Sequence, residues 1–331
     1  MHFNYEEIIQ DIVEDLPERA KTIVIRRFGL DNSAKQTLQV VGKDLGITRE
    51  RVRQIQRSAF VKMKDRAKRH NDIFDFFSNQ LKTSGNLRRE DILLKILSPE
   101  LSKNQIFLLL CLSNDLSRHL ETKDFYTLWV IDKNSLELAK KINQQILNQL
   151  NKSYKSLEIN ELELLTKTPS YILFSFLEVS KQICKGPQGF WGLKHWPEIN
   201  PKGTRDKAYI IFKQTKTPLH FAKVADLINQ SRVFDSKKKA HPQTVHNELI
   251  KDHRFVLVGR GLYALKEWGY EPGVVKDVIV NILKNTNNLL DKQEIVEKVL
   301  KQRFVKKNTI TLNLNDKKYF KRTSEGKYIL C

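Results

Sequence analysis

Cysteine is scarce in this chain of 331 residues: Cys111, Cys184 and Cys331 are its three, far apart and with no C-x-x-C pair. That spacing argues against a disulfide framework and a cysteine zinc site, and the three read as small hydrophobes, the last on a tail. Long apolar runs are missing as well. None approaches the eighteen or so residues that cross a bilayer, and the opening MHFNYEEIIQ is acidic where a signal peptide is basic. An intracellular, cytoplasmic protein is therefore expected. There is no phosphate-cradling glycine loop with its lysine, no H-E-x-x-H, no nucleophile elbow and no framed pair of carboxylates. His241, His246 and His253 do not share a helical face and lack an acidic or cysteine partner. No catalytic residue, cofactor or metal is assigned on this basis, and a binder rather than an enzyme is expected. Acid is in deficit too, with 38 Asp and Glu against 58 Lys and Arg, a net charge of +20 and a pI near 9.7. Such a balance favours a polyanionic partner. Ribosomal and membrane-surface proteins share it, so charge alone does not choose.

What is present centres on residues 37–60, TLQVVGKDLGITRERVRQIQRSAF. Thr37 and Thr48 are each placed to cap a helix start, where a hydroxyl oxygen accepts a backbone N–H that lacks an intrahelical partner. Gly46 lies between them and can close the first helix in a left-handed conformation. After Thr48 the apolar residues Val52, Ile55, Ala59 and Met63 form one buried stripe, while Arg49, Glu50, Arg53, Gln54 and Arg57 fall opposite. This pattern predicts a helix-turn-helix whose second helix offers a polar, basic face to a DNA major groove, provided its guanidinium and amide tips are free.

The run from Thr37 to Phe60, preceded by RRFGL at 26–30, resembles the fourth conserved region of primary bacterial sigma factors, which reads the minus-35 promoter hexamer. The resemblance spans about residues 16–70. It implies base contacts from Arg49, Glu50, Arg53 and Gln54. Phosphate contacts are expected from Thr37, Thr48, Arg51, Arg57 and Lys62, with Lys64, Arg66, Lys68 and Arg69 as further candidates along the same helix. The partners implied are double-stranded promoter DNA and the core of bacterial RNA polymerase, whose beta flap is met by the first two helices, and the location becomes nucleoid-associated. No membrane and no small-molecule substrate is expected. One departure is Val40, where the family usually carries an acidic residue favourable to the helix dipole. No segment resembles sigma region two, and only about sixteen residues precede the match, so a complete promoter-melting factor is not expected from this chain.

Around that head, Asn4 with Glu7 predicts a reciprocal cap for a helix carrying Ile8, Ile9, Ile12 and Val13. Pro17 opens a second helix with Ala20, Ile23, Val24 and Phe28 inward and Gly29 at its end. Beyond residue 86 the chain repeats. Tyr126, Trp191, Tyr263 and Tyr328 each mark a short aromatic strand after a helical stretch, at steps of 65 to 72 residues, which implies one supersecondary unit used several times. GPQGFWG at 186–192 reads as a wing turn. In the third unit, TPLHFAKVADLI turns Leu219, Phe221, Val224, Leu227 and Ile228 inward. HPQTVHNELIKD follows with Val245, Leu249 and Ile250, and FVLVGRGLYAL predicts a hairpin through Gly259-Arg260-Gly261. That order, over about 205–268, resembles the HARE-type helix-turn-helix domain of the polymerase delta subunit. Lys237, Lys238 and Lys239 form a loop that either meets phosphate or keeps itself solvated. In the last unit Val274, Val278 and Ile282 lead one helix and Ile295, Val299 and Leu300 another, with NTITLNL and KYFKRTSEGKYIL as its strand-bearing end.

The expected fold is mainly α: a helix-turn-helix domain followed by tandem winged-helix-like domains with short β-hairpin wings. Its divisions are a head at 1–70, a linker at 71–86, winged-helix-like units at 87–135 and 136–200, the HARE-type unit at 201–270 and a final winged-helix-like unit at 271–331.

Overall fold

The computed structural model describes residues 3–31, 33–97, 103–231, 234, 239–286 and 289–331. They fall into two compact units, one reaching Lys185 and including Gly189–Lys194, the other made of Gly186–Gln188 and His195–Cys331. Helices predominate in both, and the strands form small antiparallel sheets of two or three. Among the described residues no helix is long and apolar enough to cross a membrane.

The first unit opens with α1 (Tyr5–Val13) and α2 (Glu18–Phe28). Asn4 accepts the Glu7 N–H at 3.4 Å, but no return bond from Glu7 is made among the described residues. The inward set of α2 is as its spacing predicts, Ala20, Ile23, Val24 and Phe28, and Gly29 ends the helix in the left-handed region. Next come α3 (Leu38–Asp44), α4 (Arg49–Ala67), a 3-10 turn and α5 (Asn71–Lys82). The stretch read as a linker is thus largely helix. Ile73, Phe77 and Leu81 recur at i, i+4, i+8 and are fully buried, while the breaker residues Ser84-Gly85-Asn86 mark only its end. The unit continues through β1 (Leu87–Arg89), α6 (Glu90–Leu97), α7 (Lys103–Leu112), β2 (Ser117–His119) and β3 (Leu128–Val130), the strands ordered β1-β3-β2. It closes with α8 (Lys133–Ser153), α9 (Ile159–Thr166), α10 (Ser170–Glu178) and the hairpin β4 (Ile183–Lys185) and β5 (Trp191–Leu193).

Helix α7, KNQIFLLLCL, buries Gln105, Ile106, Leu108, Leu109, Leu110 and Leu112, so it has almost no polar face. A helix apolar on all sides has to be surrounded, and α1, α2, α4, α5 and α6 surround it. One core accordingly runs from Tyr5 through Met63 and Phe77 to Trp129. Polar ties reinforce it, Tyr5 donating to the Leu97 carbonyl at 3.1 Å and Asn104 to the Gly29 carbonyl at 2.8 Å. In the first aromatic strand the buried ring is Trp129, at 2 % exposure, whereas Tyr126 lies before the strand and is half-buried.

The second unit contains α11 (Thr204–Thr215), β6 (Leu219–His220), α12 (Phe221–Gln230), α13 (Pro242–Lys251), β7 (Phe255–Gly259) and β8 (Leu262–Leu265). After these come α14 (Val275–Asn285), α15 (Lys292–Gln302), α16 (Lys307–Leu314), β9 (Phe320–Arg322) and β10 (Tyr328–Leu330). Val224, Ile228, Val245 and Leu249 are buried as expected, but Ile250 is 62 % exposed, one position past the inward stripe. Of the hairpin glycines only Gly261 has a positive φ, 69°. Gly259 instead lets the backbone at Phe304 approach, since a Cβ there would lie 2.9 Å from the Phe304 carbonyl oxygen. NTITLNL is helix α16 rather than strand: Ile310 and Leu314, four apart, are both buried, and that burial outweighs the β-branched composition. Val274 precedes α14 and is exposed, leaving Val278 and Ile279 to enter the core. Lys237 and Lys238 lie outside the described residues, and Lys239 is exposed.

Leu109→Ala removes a fully buried side chain from α7 and should lower the unfolding free energy by about 2–5 kcal/mol. In urea denaturation of the full chain, the helices of the head and those of residues 87–131 should lose structure together. A head that melts separately from them would contradict the shared core.

Candidate nucleic-acid interface

Helices α3 and α4 form the helix-turn-helix. Thr37 Oγ1 accepts the Val40 N–H at 3.3 Å and Thr48 Oγ1 accepts the Arg51 N–H at 3.1 Å, so both caps are made. Between the helices Gly46 adopts φ 63° with open space around it, so glycine serves the backbone there. Gly42 serves the packing, because a Cβ on it would stand 2.7 Å from the Ile47 carbonyl oxygen. Sequence reading missed Gly42; its only signal is a small residue one turn before the end of a short helix. Ile23, Val41 and Val52 are fully buried between α2, α3 and α4, with Leu38, Leu45, Ile47 and Ile55 around them.

Basic residues of α2 fix this arrangement from behind. Arg19 donates to the Leu45 carbonyl at 2.9 Å. Arg26 donates to Gln36 Oε1 at 2.8 Å and pairs with Asp44 at the end of α3. Arg27 reaches the Gln36 carbonyl and Gln56 Oε1. The two arginines of RRFGL are therefore braces, a role their sequence position alone did not disclose.

On α4, Arg49, Glu50, Arg51, Arg53, Gln54 and Arg57 are all exposed, as are Thr37, Thr48 and Lys62. The stripe opposite them holds Val52, Ala59 and Met63, buried as expected, with Ile55 half-buried. The tips are not all free, and this corrects the expectation. Arg53 Nε and Nη2 donate to the two Glu50 carboxylate oxygens at 2.9 and 2.7 Å, and Arg51 Nη1 donates to Gln54 Oε1 at 3.2 Å. The guanidinium holds the Glu50 carboxyl below its ordinary pKa, and the carboxylate raises that of Arg53. Both partners are more than half exposed, and exposed i,i+3 pairs are weak and exchange readily. The pair also occupies only one edge of the guanidinium. The other edge, Nη1 and the outer hydrogen of Nη2, remains available as a two-pronged donor. Arg49 and Arg57 make no hydrogen bond or ion pair among the described residues.

Arg66 does not belong to the exposed set. Its side chain is 11 % exposed and engages Asp11 at 2.8 Å together with Glu14 and Asp15, clasping α4 to α1 and its C-terminal end. His70 Nε2 lies 2.8 Å from the other Asp11 oxygen. Hydrogen bonds from Arg66 and then His70 pull the Asp11 carboxyl down to about 2. Lys68 pairs with Asp65, and Lys64 donates to Asn114. Of the further phosphate candidates, Arg66 is thus structural.

Comparison with known proteins places the match on the same segment. The family model for sigma-70, region 4, fits residues 12–65. The chain is 40 % identical over 72 residues to the RNA polymerase sigma factor SigA of a Bacillus species, covering 21 % of this chain and 19 % of that protein. It is 46 % identical over 57 residues to the RNA polymerase sigma factor RpoD of Helicobacter pylori, covering 17 % of this chain and 8 % of that protein. The chain therefore spans less than a fifth of either relative.

Two outcomes test the architecture of this interface. Gly42→Ala should cost about 1–3 kcal/mol by forcing α3 away from the turn, read as a lowered urea midpoint. Asp11→Asn should destabilise the chain at neutral pH. Because the folded carboxyl titrates near 2 and an unfolded one near 4, the ionic contribution is complete above that upper value and is lost as pH falls between the two. The stability gap between wild type and Asp11→Asn should therefore narrow at pH 3 relative to pH 7. A gap that widens there would contradict the clasp.

Proposed function

We propose that this chain is a DNA-binding, sigma-like transcription initiation factor that reads a minus-35-type promoter element through α4 and associates with bacterial RNA polymerase. The observation that carries the reading is the N-terminal half of α4, on which Arg49, Arg53, Gln54 and Arg57 stand exposed beyond the Thr48 cap. Arg53 presents its outer edge to guanine O6 and N7, while its inner edge exchanges on and off Glu50. Gln54 exchanges its bond from Arg51 for an adenine edge, and Arg49 reads beside them. Glu50 retains lone pairs for a cytosine amino group. Arg51, Arg57 and Lys62 meet phosphates. Thr37 and Thr48 accept from backbone N–H groups, which leaves each hydroxyl hydrogen to donate to a phosphate oxygen. In this proposal the winged-helix-like units steady flanking DNA or polymerase, and the protein works on the nucleoid without catalysis of its own.

The alternative is a regulator that binds polymerase in place of the housekeeping sigma factor and never reads bases. It requires the beta flap to meet α1 and α2. Helix α7 already covers the apolar faces of α1, α2 and α4 from within the chain, so in either reading a flap contact has to use their outer surfaces; the exposed arginines of α4, which the regulator leaves unused, favour the first reading.

Binding-site selection from random duplexes by the full chain tests the proposal. Arg53→Lys should keep binding within a few-fold while relaxing preference at one base pair, because an ammonium lacks the two-pronged geometry. The double replacement Arg53→Ala with Gln54→Ala should remove about 1–3 kcal/mol of discrimination per base pair read. If the preferred sequence survives that double replacement, direct reading by α4 is wrong.

A further inference from the structure

Away from α4, the first unit holds a pocket of about 300 Å³ between β1, the segment before β3, the end of α10 and the β4–β5 hairpin. Tyr126, Phe174 and Trp191 supply its rings, with Phe174 and Trp191 at 6.1 Å between centroids. Its cations are Arg89, Lys185 and Lys194. Arg89 lies over the Tyr126 ring at 4.6 Å, and Lys194 donates to the Tyr126 hydroxyl at 2.9 Å. Lys185 lies 5.6 Å from the Phe174 centroid. Arg89 is paired with Asp91, but neither lysine has a carboxylate partner among the described residues.

Two buried polar atoms of lining residues have no hydrogen-bond partner among the described residues, which is uncommon in a folded protein. Trp191 is 3 % exposed, its backbone is fixed by a pair of bonds to Leu157, and its indole Nε1–H donates to nothing. Glu178 Oε2 likewise accepts no hydrogen bond, its nearest cation being Arg88 at 3.7 Å, and burial pushes its carboxyl above the ordinary range. Both atoms are sealed behind the wall, so what the pocket offers a ligand is the Tyr126 and Phe174 rings and two uncompensated ammonium groups at the exposed rim. A planar heterocycle carrying a phosphate complements both features. Aromatic side chains beside cations serve this purpose where proteins hold unpaired bases, and the volume is that of a small ligand site.

We infer that this pocket receives one unpaired nucleotide, its base against the aromatic walls and its phosphate on Lys185 and Lys194. The inference uses no residue of α4, so it stands or falls apart from promoter reading. The same chemistry is offered by a free mononucleotide or by one unit of a single strand.

Titration calorimetry on the full chain distinguishes these sources. The probes are the four ribonucleoside monophosphates, their unphosphorylated nucleosides, inorganic phosphate and a twelve-nucleotide single-stranded DNA of mixed sequence. At least one monophosphate should bind, with its nucleoside and inorganic phosphate each weaker by about tenfold or more. The exposed double variant Lys185→Ala with Lys194→Ala should weaken it about tenfold, and Phe174→Ala by a similar factor. A strand that binds far more tightly than any monophosphate, with the same dependence on Lys185 and Lys194, identifies a single strand as the source. A monophosphate that displaces the strand at equal concentration identifies the free nucleotide. The proposal is overturned if inorganic phosphate binds as tightly as every monophosphate. It is also overturned if neither monophosphate nor strand binding responds to the lysine pair. The variant Arg53→Ala with Gln54→Ala should bind the pocket's ligand normally.

Discussion

Ten residues with scarcely a polar side among them set the terms for the first unit. Beyond its first turn, where Lys103 is exposed, helix α7 is apolar on nearly every side, and the surrounding helices cover it. Burying its leucines and Ile106 contributes about 1.5–3 kcal/mol apiece, more than any exposed ion pair nearby. The consequence for function is mechanical. Helix α4 is held at its C-terminal half by the core at Ala59, Met63 and Ala67 and by the Arg66 clasp, and at its N-terminal half by Val52 packed with Ile23 and Val41, so its exposed face is carried on a rigid base. Recognition by side chains demands such support, because a small displacement of the helix carries every contact with it.

Much of the head was legible because its signals are local. Helix caps at Thr37 and Thr48, the inward set of α2 and the left-handed Gly46 each depend on a few neighbouring residues, and each is found where spacing puts it. What failed to show was whatever depends on a distant partner. Helix α5 looked like a connector because Ser84-Gly85-Asn86 draws attention from the buried spacing of Ile73, Phe77 and Leu81. Arg66 looked like one more surface cation; only the return of α1 alongside α4 brings Asp11, Glu14 and Asp15 to it. NTITLNL reads as strand by composition, yet a core four residues deep made it helix. The pocket lined by Trp191 was invisible for the same reason, since its walls come from three stretches, at Arg89, at Tyr126 and over 174–194, that lie tens of residues apart.

The candidate reading face adds a subtler case. Spacing puts Glu50 and Arg53 three residues apart on the same exposed flank, where opposite charges are neighbours, and one edge of the guanidinium is engaged there. In the second unit the same theme recurs with backbone acceptors. Arg303 is 3 % exposed and donates to the carbonyls of Gln302, Glu271 and Gly273. Its charge is thereby solvated by the main chain, and the segment leading into α14 is held to the end of α15.

The cover that α7 gives α1, α2 and α4 also bears on how the head behaves when cut loose. A fragment trimmed to the span matched by sigma-70, region 4, would leave Phe28, Phe60 and Met63 without the leucines that shield them, an oily face of the kind that drives clumping in dilute buffer. Solubility, rather than any loss of groove-facing residues, would then limit the fragment. The smallest well-behaved piece has to extend through β3, where Trp129 closes the same core.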